Sequence, residues 1–246
     1  VQYQVGALHS FCVANKIPLQ HVKPHGAMYN MAAKDEKLAI AIAEGIAEID
    51  GSLILLGLSG SEMLKAAAKI GLQAKKEVGE LASSLINDND VIFIDSGTTA
   101  CQIIPYIKDK KDLTIITHSL LALKELEIRN DIKVILMGGE YRNDIKSFVF
   151  DVSKLNYNFN ISFISTVGFD DKAGLTNNDY YEGQVKSEII KHSKKICVVL
   201  DHTKFDKIMF NSFASLSDID IVVSDEKATK KYEELFREYK ILYICD

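Results

Sequence analysis

A run of apolar residues at Val91–Ile94 constrains the fold of this 246-residue chain more than any other feature. Strands of that composition are buried on both faces, as in parallel sheets that are covered by helices. Helical segments separate most of the further strands that the sequence predicts, which lie at 113–117, 133–137, 161–165, 196–200, 219–223 and 239–245. Such alternation is typical of a doubly wound α/β sheet, and we expect one over the C-terminal two thirds of the chain.

Residues 1–73 follow a separate pattern of short strands and helices. The spacing of apolar side chains predicts a strand at 19–22, a helix at 33–49, a strand at 52–56 and a third helix after it. Either Ser59 or Ser61 suits the N-cap of that third helix, because a serine hydroxyl accepts from an unpaired backbone N–H. The chain opens directly on a helical pattern and reads as though it begins within a longer protein.

Composition disfavours several functional classes. Apolar residues make up 47% and charged residues 26%, which are ordinary values for a globular protein. No stretch approaches the about 18 consecutive apolar residues of a spanning helix and no leader is recognisable, so we expect a cytoplasmic protein without a membrane partner. The four cysteines form no CxxC pair, which disfavours a zinc site or a disulfide framework. A net charge of -5 argues against a protein that coats nucleic acid.

The loop after the first strand of the sheet carries the strongest sign of a ligand site. Five residues lead into a predicted helix at 100–106: Asp95, Ser96, Gly97, Thr98 and Thr99. A helix N-terminus offers unpaired N–H groups and a favourable dipole to an anion, and the hydroxyls add donors. Gly97 lets the backbone approach an oxygen closely, whereas Asp95 is placed to accept from a sugar hydroxyl. An ordinary N-capped turn explains the same residues equally well.

Other strand ends and one helix supply further candidates, because ligands in open α/β sheets bind outside the carboxyl ends of the strands. These candidates are Thr117, Gly138, Glu182, Lys186, Asp201 and Lys204. Gly138 also fits a simple tight turn. Glu182 and Lys186 are four residues apart on a predicted helix, where such a pair most often forms a solvated bridge. Lys204 suits a phosphate counter-charge, and equally an ordinary surface lysine.

Five motifs in this part of the chain resemble those of the DeoR family of transcriptional regulators in order and spacing: VIFIDSGTTA, TIITHSLLAL, IKVILMGGEYR, VGFDDKAGLTNNDYYEGQVKSEII and VVLDHTKFDKIMF. The resemblance covers about residues 76–246 and corresponds to that family's C-terminal effector domain. It implies a Rossmann-like sheet of the ribose-5-phosphate isomerase type, a phosphorylated sugar as effector, and a homo-oligomer. By match, residues 96–99 would cradle phosphate, and four residues would line the sugar end: Asp95, Glu182, Lys186 and Lys204.

Three positions depart from the pattern of that family. His118 stands where an asparagine is usual, Thr203 replaces the serine of the D-H-S-K-F motif, and Phe150 stands where a glycine is common. Thr203 keeps the hydroxyl. His118 and Phe150 change both size and chemistry, and they therefore bear on which ligand is bound.

The first 73 residues resemble a different family. The segment HVKPHGAMYN, with YQVGAL before it and LILLGLSGSEMLKAA after it, is similar to the middle of the 5-oxoprolinase component that belongs to the LamB/YcsF family. That family is understood as a (β/α) barrel used in ATP-dependent lactam opening. Two strands cannot close a barrel, which needs about eight, so His21, Lys23 and His25 would lack their partners. We expect an incomplete (β/α) barrel fragment at 1–75, fused to the effector domain at 76–246.

The two resemblances together predict a ligand-sensing domain without catalysis, cofactor or metal. Direct DNA contact is not expected, because the sequence shows no helix-turn-helix pattern with a basic recognition helix. Two enzymatic alternatives stay open. Glu182 and Lys186 suit the base and the electrophile of a sugar-phosphate isomerase, although a shared fold does not confer function. The N-terminal fragment would otherwise be a remnant of 5-oxoprolinase that retains lactam hydrolysis.

Overall fold

The computed structural model describes residues 1–17, 19, 21–57, 61–71, 77–127, 129–225 and 227–245. The chain divides into two units, Val1–Lys76 and Glu77–Asp246. Over the described residues, no helix has both the length and the apolar composition needed to cross a membrane.

The first unit, over its described residues, packs helices against a pair of short parallel strands. Its elements are α1 (Gln2–Ala14), β1 (His21–Val22), α2 (Gly26–Ala32), α3 (Glu36–Ala47), β2 (Ile54–Leu55) and α4 (Glu62–Ile70). α3 begins after Asp35, whose carboxylate accepts from two backbone N–H groups of the first turn. The buried core includes Ile42, Ile46, Leu55 and Met63.

The elements of this unit are shorter than the sequence pattern predicts. Each strand has two residues, and the helix predicted at 33–49 begins at Glu36 and ends at Ala47. Ser61 occupies the N-cap of α4 as expected, but its hydroxyl is buried and has no partner among the described residues. Ser59, the other N-cap candidate, lies outside the described residues. Gly71 ends α4 in the left-handed conformation, with φ at +81°.

The second unit alternates strands and helices along most of its length. In chain order its elements are α5 (Glu77–Ser83), β3 (Val91–Ile94), α6 (Thr98–Cys101), β4 (Thr114–Thr117), α7 (Leu120–Leu126), β5 (Lys133–Leu136), β6 (Glu140–Arg142), β7 (Ser147–Val149), β8 (Ile161–Ser165), β9 (Gly168–Asp170), β10 (Gly174–Asn177), α8 (Tyr180–Lys191), β11 (Ile196–Val199), β12 (Asn211–Ala214), β13 (Ile221–Val223), α9 (Lys230–Tyr239) and β14 (Leu242–Ile244). Short 3-10 helices lie at Ile104–Tyr106, Val152–Lys154, His202–Lys204 and Leu216–Asp218.

Seven of these strands form one parallel sheet in the order β14-β13-β11-β8-β3-β4-β5. The second unit therefore starts in the middle of the sheet at β3, moves outward to β5, returns to β8 on the other side of β3, and moves outward again. That order is the doubly wound, Rossmann-like arrangement, and it confirms the predicted fold class. The strand order reverses between β3 and β8.

The two faces of the sheet carry separate hydrophobic cores. Successive side chains of a strand point to opposite faces, so Ile92 and Ile94 pack with helices α5, α6 and α7, while Phe93 packs with α8 and α9. Because both faces of the central strands are covered, β3 and β11 carry apolar residues at every position.

Two smaller sheets were not predicted from the sequence. β9, β10 and β12 form an antiparallel sheet in the order β12-β10-β9, and β6 pairs with β7 as a hairpin. Their strands have three or four residues each, too few for an alternating pattern to stand out. The hairpin β6–β7 lies against the loop after β4, where the backbone N–H of Phe148 donates to the carbonyl of His118 at 2.9 Å.

Candidate functional site

The candidate site lies where the strand order of the parallel sheet reverses. Asp95 directly follows β3, and Ser165 is the last residue of β8, the neighbouring strand beyond the reversal. The connections after these two strands turn to opposite sides of the sheet and leave a crevice at its carboxyl edge, which is where open α/β sheets bind ligands. The strand order therefore selects one position along the edge that the sequence pattern predicts.

Asp95 has no exposed surface, and protein groups surround its carboxylate. Oδ2 accepts from the backbone N–H of Ser165 at 2.9 Å and lies 3.1 Å from Lys186 Nζ, and the Ser165 hydroxyl donates to the same oxygen. Oδ1 lies 3.1 Å from Nε2 of His118. Burial by itself would raise the pKa of Asp95, but the Lys186 ammonium and His118 outweigh it and hold that pKa well below its ordinary value. Asp95 is thus a charged interior group.

Lys186 bridges two carboxylates while its side chain is only 2% exposed. Besides Asp95, its Nζ lies 2.9 Å from Oε1 of Glu182 and donates to the backbone carbonyl of Ser165 at 2.9 Å. Burial by itself would lower the pKa of Lys186, but the carboxylates of Asp95 and Glu182 raise it above its ordinary value. The ammonium also lies 5.5 Å from the ring centroid of Phe213. The pair expected from the sequence is therefore present, but it is buried rather than solvated.

The loop after β3 begins in the interior and reaches the surface. Ser96 is buried, Thr99 is half-buried and Thr98 is exposed. α6 begins at Thr98, earlier than the predicted helix at 100–106, and has only four residues. Within the part of the chain that the structure describes, none of the three hydroxyls is paired with another protein group. All three are therefore free to donate to a bound molecule.

Gly97 is required by packing within the protein. A Cβ at this position would lie 2.0 Å from Oγ of Ser165 and 2.4 Å from its Cβ. The sequence predicts that Gly97 makes room for a ligand oxygen, but the structure shows that it first makes room for Ser165. A side chain here would displace Ser165 and, with it, a partner of Asp95.

Thr117 is the last residue of β4, whereas Gly138 lies two residues beyond the end of the neighbouring strand β5, and the two have different surroundings. Thr117 is fully buried, and its hydroxyl donates to the carbonyl of Ile94 at 2.7 Å and accepts from the N–H of Ser119 at 3.1 Å. These bonds tie the loop after β4 to β3 and leave Thr117 turned inward. Gly138 is exposed, and an added Cβ there would meet nothing within 4 Å, whereas a Cβ on Gly139 would lie 2.2 Å from the carbonyl oxygen of Val149.

Asp201 and Lys204 form a local pair beyond β11. Asp201 is the N-cap of the 3-10 helix His202–Lys204, where its carboxylate accepts from the N–H of Thr203 at 3.1 Å and from the Thr203 hydroxyl. Lys204 Nζ lies 3.8 Å from Oδ2 of Asp201, and about a third of its side chain is exposed. The hydroxyl that Thr203 keeps at this position is therefore bound to the carboxylate of Asp201.

The structure joins three of the predicted residues, Asp95, Glu182 and Lys186, in one contiguous network. It adds two partners that sequence reasoning did not assign to the site, Ser165 and His118. Ser165 carries no distinctive motif, and the only available signal was its place at the end of the strand beside β3. Among the described residues, no group of three or more His, Cys, Asp or Glu is arranged to hold a metal ion.

The first unit has a cavity of its own, of about 400 Å³. His21, Lys23 and His25 line it together with apolar side chains of α1 and of the segment after β1. Lys23 Nζ lies 5.7 Å from the ring centroid of Tyr29. The two histidines and the lysine that the sequence singles out therefore share one cavity.

Comparison with known proteins finds a different family match for each part of the chain. The family described as DeoR C terminal sensor domain matches residues 71–226, which is more than half of the chain. The chain belongs to the DeoR C-terminal sensor domain family. The LamB/YcsF family matches residues 1–81. Both predicted resemblances are confirmed.

The similarity to curated relatives divides in the same way. The HTH-type transcriptional regulator IolR of Bacillus subtilis is 32% identical over 170 residues, which is 68% of this chain and 68% of that protein. A 5-oxoprolinase component of Clostridium beijerinckii is 66% identical over 77 residues, which is 31% of this chain. The chain spans about 30% of the length of that component. Among solved structures, ribose 5 phosphate isomerase A from Neisseria gonorrhoeae has a TM-score of 0.39 and 16% identity, over 53% of this chain and 52% of that one.

Proposed function

We propose that the second unit is a sensor that binds a phosphorylated sugar at the carboxyl edge of β3 and β8 and does not turn it over. Membership in the DeoR C-terminal sensor domain family supports the sensing role. The observation that carries the proposal is the buried network of Asp95, Lys186 and Glu182 at the reversal of strand order. Beside it lies a loop whose hydroxyls have no partner among the described residues. The network presents the partly exposed carboxylate of Glu182 to a sugar, and the loop offers donors to a phosphate.

The phosphate end of the ligand is assigned to the loop after β3. Hydroxyls of Ser96, Thr98 and Thr99 donate to phosphate oxygens, together with backbone N–H groups of the same loop. Lys204 contributes positive charge from the end of β11, where it is exposed enough to reach solvent. Asp201 then acts through Lys204, which it holds near the strand end.

The sugar end is assigned to Glu182, which Lys186 supports from the interior. The side chain of Glu182 is 14% exposed, so its carboxylate can accept from a sugar hydroxyl while the Lys186 ammonium holds it in place. Asp95 is fully enclosed, and we therefore assign it to orienting Lys186 and Ser165 instead of touching the ligand. This revises the role that the sequence suggests for Asp95.

We propose further that residues 1–75 and 76–246 are separate structural units of a cytoplasmic homo-oligomer. The division of the fold near residue 76 and the change of family over residues 71–81 support this boundary. We also propose that the chain makes no direct contact with operator DNA, because the segment before the sensor resembles a lactam-family barrel. Light scattering should give a mass that is a multiple of 27.4 kDa, and a monomer would contradict the proposed oligomer. A gel-shift assay should show no sequence-specific complex with operator DNA, and such a complex would contradict the proposal that the chain makes no direct contact with DNA.

An isomerase acting at the same site is the second candidate, and the carboxylate–ammonium pair of Glu182 and Lys186 favours it. Isomerisation needs a base that takes a proton from the substrate. The geometry instead commits Glu182 to a lysine that is held in its charged form by Asp95 as well. Cys101 offers no nucleophile, since burial raises the pKa of its thiol to about 12. Conversion of ribose 5-phosphate to a ketose by the purified protein would establish the enzymatic function.

Lactam hydrolysis by the first unit is favoured only by the cavity that His21, Lys23 and His25 share. A barrel enzyme builds its site from the ends of several strands, and the described residues of this unit supply two. We therefore assign no catalysis to it. Incubation with 5-oxoproline and ATP should release no glutamate.

A thermal-shift panel of phosphorylated sugars tests the sensor proposal. A ligand at 100 times its dissociation constant adds about 2.7 kcal/mol to the free energy of unfolding. For a domain of this size that corresponds to a rise of about 5–10 °C in the melting temperature. At least one phosphorylated sugar should give such a rise, and a panel in which none does, at millimolar concentration, would overturn the proposal.

A further inference from the structure

His118 connects the candidate site to the hairpin β6–β7. The residue follows Thr117 at the end of β4, and only 1% of its surface is exposed. Its two ring nitrogens face two oxygens, with Nε2 3.1 Å from Oδ1 of Asp95 and Nδ1 3.1 Å from the carbonyl oxygen of Phe148. A carbonyl oxygen and an ionised carboxylate both only accept, so each of these contacts is a hydrogen bond when the ring nitrogen that faces it carries a hydrogen.

The backbone reinforces the same connection. The carbonyl of His118 accepts from the N–H of Phe148 at 2.9 Å and from Oγ of Ser147 at 2.9 Å. Two residues further along, the N–H of Leu120 donates to the carbonyl of Lys146 at 3.1 Å. The hairpin is thus bound to the loop after β4 along most of its second strand.

Aromatic packing fixes the orientation of the His118 ring. Its centroid lies 5.6 Å from that of Phe93 in β3 and 6.4 Å from that of Phe150, which it meets edge-on. His118 and Phe150 are two of the positions where the sequence departs from its family pattern, and the structure shows them in contact. Two departures that touch indicate a local adaptation at this end of the site.

The far side of the hairpin contacts the helix that carries Glu182 and Lys186. Nη2 of Arg142 donates to Oδ2 of Asp179 at 3.2 Å. Oδ1 of Asp179 in turn accepts from the backbone N–H of Glu182 at 2.8 Å, as the N-cap of α8. The hairpin therefore spans from the Asp95 side of the site to the start of the helix that bears its other charged groups.

We propose that His118 is a positioning residue that couples the closure of the hairpin β6–β7 to Asp95, so that an occupant of the site stabilises the closed hairpin. The identity of that occupant, a phosphorylated sugar, rests on the proposed function. A ligand that engages Glu182 restrains Lys186 and, through it, Asp95. Asp95 in turn restrains the His118 ring that contacts Phe148. An effector changes a conformational equilibrium only through unequal contacts with the two states, and this chain of hydrogen bonds exists only when the hairpin is closed.

Hydrogen exchange of the amides at 139–150 tests the coupling without any ligand. His118→Phe keeps the aromatic packing but removes both side-chain hydrogen bonds, and His118→Asn is too short to reach both partners. In both variants these amide hydrogens should exchange about tenfold faster than in the wild type. This ratio corresponds to the loss of one hydrogen bond to a charged group. Arg129→Ala, which breaks the pair of Arg129 with Asp131 in the segment before β5, is the matched control and should leave these amides unchanged. Wild-type exchange rates in His118→Phe would overturn the proposal, because packing alone would then close the hairpin.

Saturating ribose 5-phosphate supplies the second arm of the experiment. In the wild type it should slow exchange at 139–150, and in His118→Phe it should bind without slowing it. Binding that leaves hairpin exchange unchanged in the wild type would also overturn the coupling. If calorimetry shows no binding, that failure belongs to the proposed function, and the ligand-free comparison of variants alone decides whether His118 couples the hairpin to Asp95.

Discussion

Replacing Lys186 with methionine tests the buried network at its centre. Methionine keeps most of the volume and removes the positive charge that lies 3.1 and 2.9 Å from the oxygens of Asp95 and Glu182. Breaking a buried pair by removing one partner costs about 3–5 kcal/mol, because the remaining charge stays buried and uncompensated. Asp95 keeps His118 and Ser165, and Glu182 has some access to solvent, so we expect the lower end of that range. A loss of about 3 kcal/mol is a large part of the about 5–15 kcal/mol that stabilises a domain.

Hydrogen exchange of the amides in β3 and β8 is the assay for this variant, because it measures the free energy of unfolding of the second unit by itself. The same helix offers a matched control. Lys191 Nζ lies 2.9 Å from Oε2 of Glu188, but its side chain is 65% exposed. Lys191→Met should cost less than about 1 kcal/mol. A loss in Lys186→Met no larger than in Lys191→Met would refute the reasoning, since the buried pair would then contribute no more than a solvated one.

The network also predicts a pH dependence of stability. The pKa of Asp95 in the folded protein is below its unfolded value of about 3.9, so its contribution is present above about pH 4 and is lost as the pH falls through the folded pKa. The pKa of Lys186 is above its unfolded value of about 10.4, so its contribution is present below about pH 10 and is lost at higher pH. Without the ammonium the pKa of Asp95 rises, and Lys186→Met should lose less stability than the wild type between about pH 5 and about pH 2. Acid unfolding profiles of equal steepness would contradict this.

Three further predictions follow from the loop, the rim of the site and the two units. Gly97→Val should destabilise the second unit by about 1–3 kcal/mol, because its Cβ meets Ser165. Gly138→Ala should change the free energy of unfolding by less than about 0.5 kcal/mol. Equal losses for the two variants in urea unfolding would contradict the packing role of Gly97. Thr98→Ala and Lys204→Ala should each weaken sugar-phosphate binding by about 1–3 kcal/mol in calorimetry, with the Lys204 effect larger at low salt. Unchanged affinity in both variants would show that neither the loop after β3 nor Lys204 belongs to the site. Deletion of residues 1–76 should leave a folded second unit by circular dichroism, and a chain that fails to fold would show that the first unit is integral to it.

Much of the parallel sheet was predictable because its strands are buried on both faces. Val91–Ile94 and Ile196–Val199 are uninterrupted apolar runs, and each was expected at nearly its observed position. The helix after β3 was predicted too long. Pro105 has no N–H to donate to the carbonyl of Cys101, four residues before it, and the chain forms a four-residue helix followed by the 3-10 helix Ile104–Tyr106. Local sequence thus predicts a strand more reliably than the end of a short helix.

The site was predictable only where its residues are close in sequence. Glu182 and Lys186 are neighbours on one helix face, so their spacing alone predicts the pair. Their meeting with Asp95 depends on β8 lying beside β3, and this strand order is not encoded in any single motif. His118 was noticed as a departure from its family pattern, but its bond to Asp95 and its contact with the hairpin emerge only from the fold.

The central claim is that the loop and the buried network recognise a phosphorylated sugar, and calorimetry with a matched pair of ligands tests it most directly. The pair is one sugar phosphate that shifts the melting temperature and the same sugar without its phosphate. We predict saturable binding of the phosphate ester without turnover. The free sugar should bind about a hundredfold more weakly, because two lost hydrogen bonds to a charged group amount to about 3 kcal/mol or more. Equal affinity for the sugar and its phosphate would contradict the account.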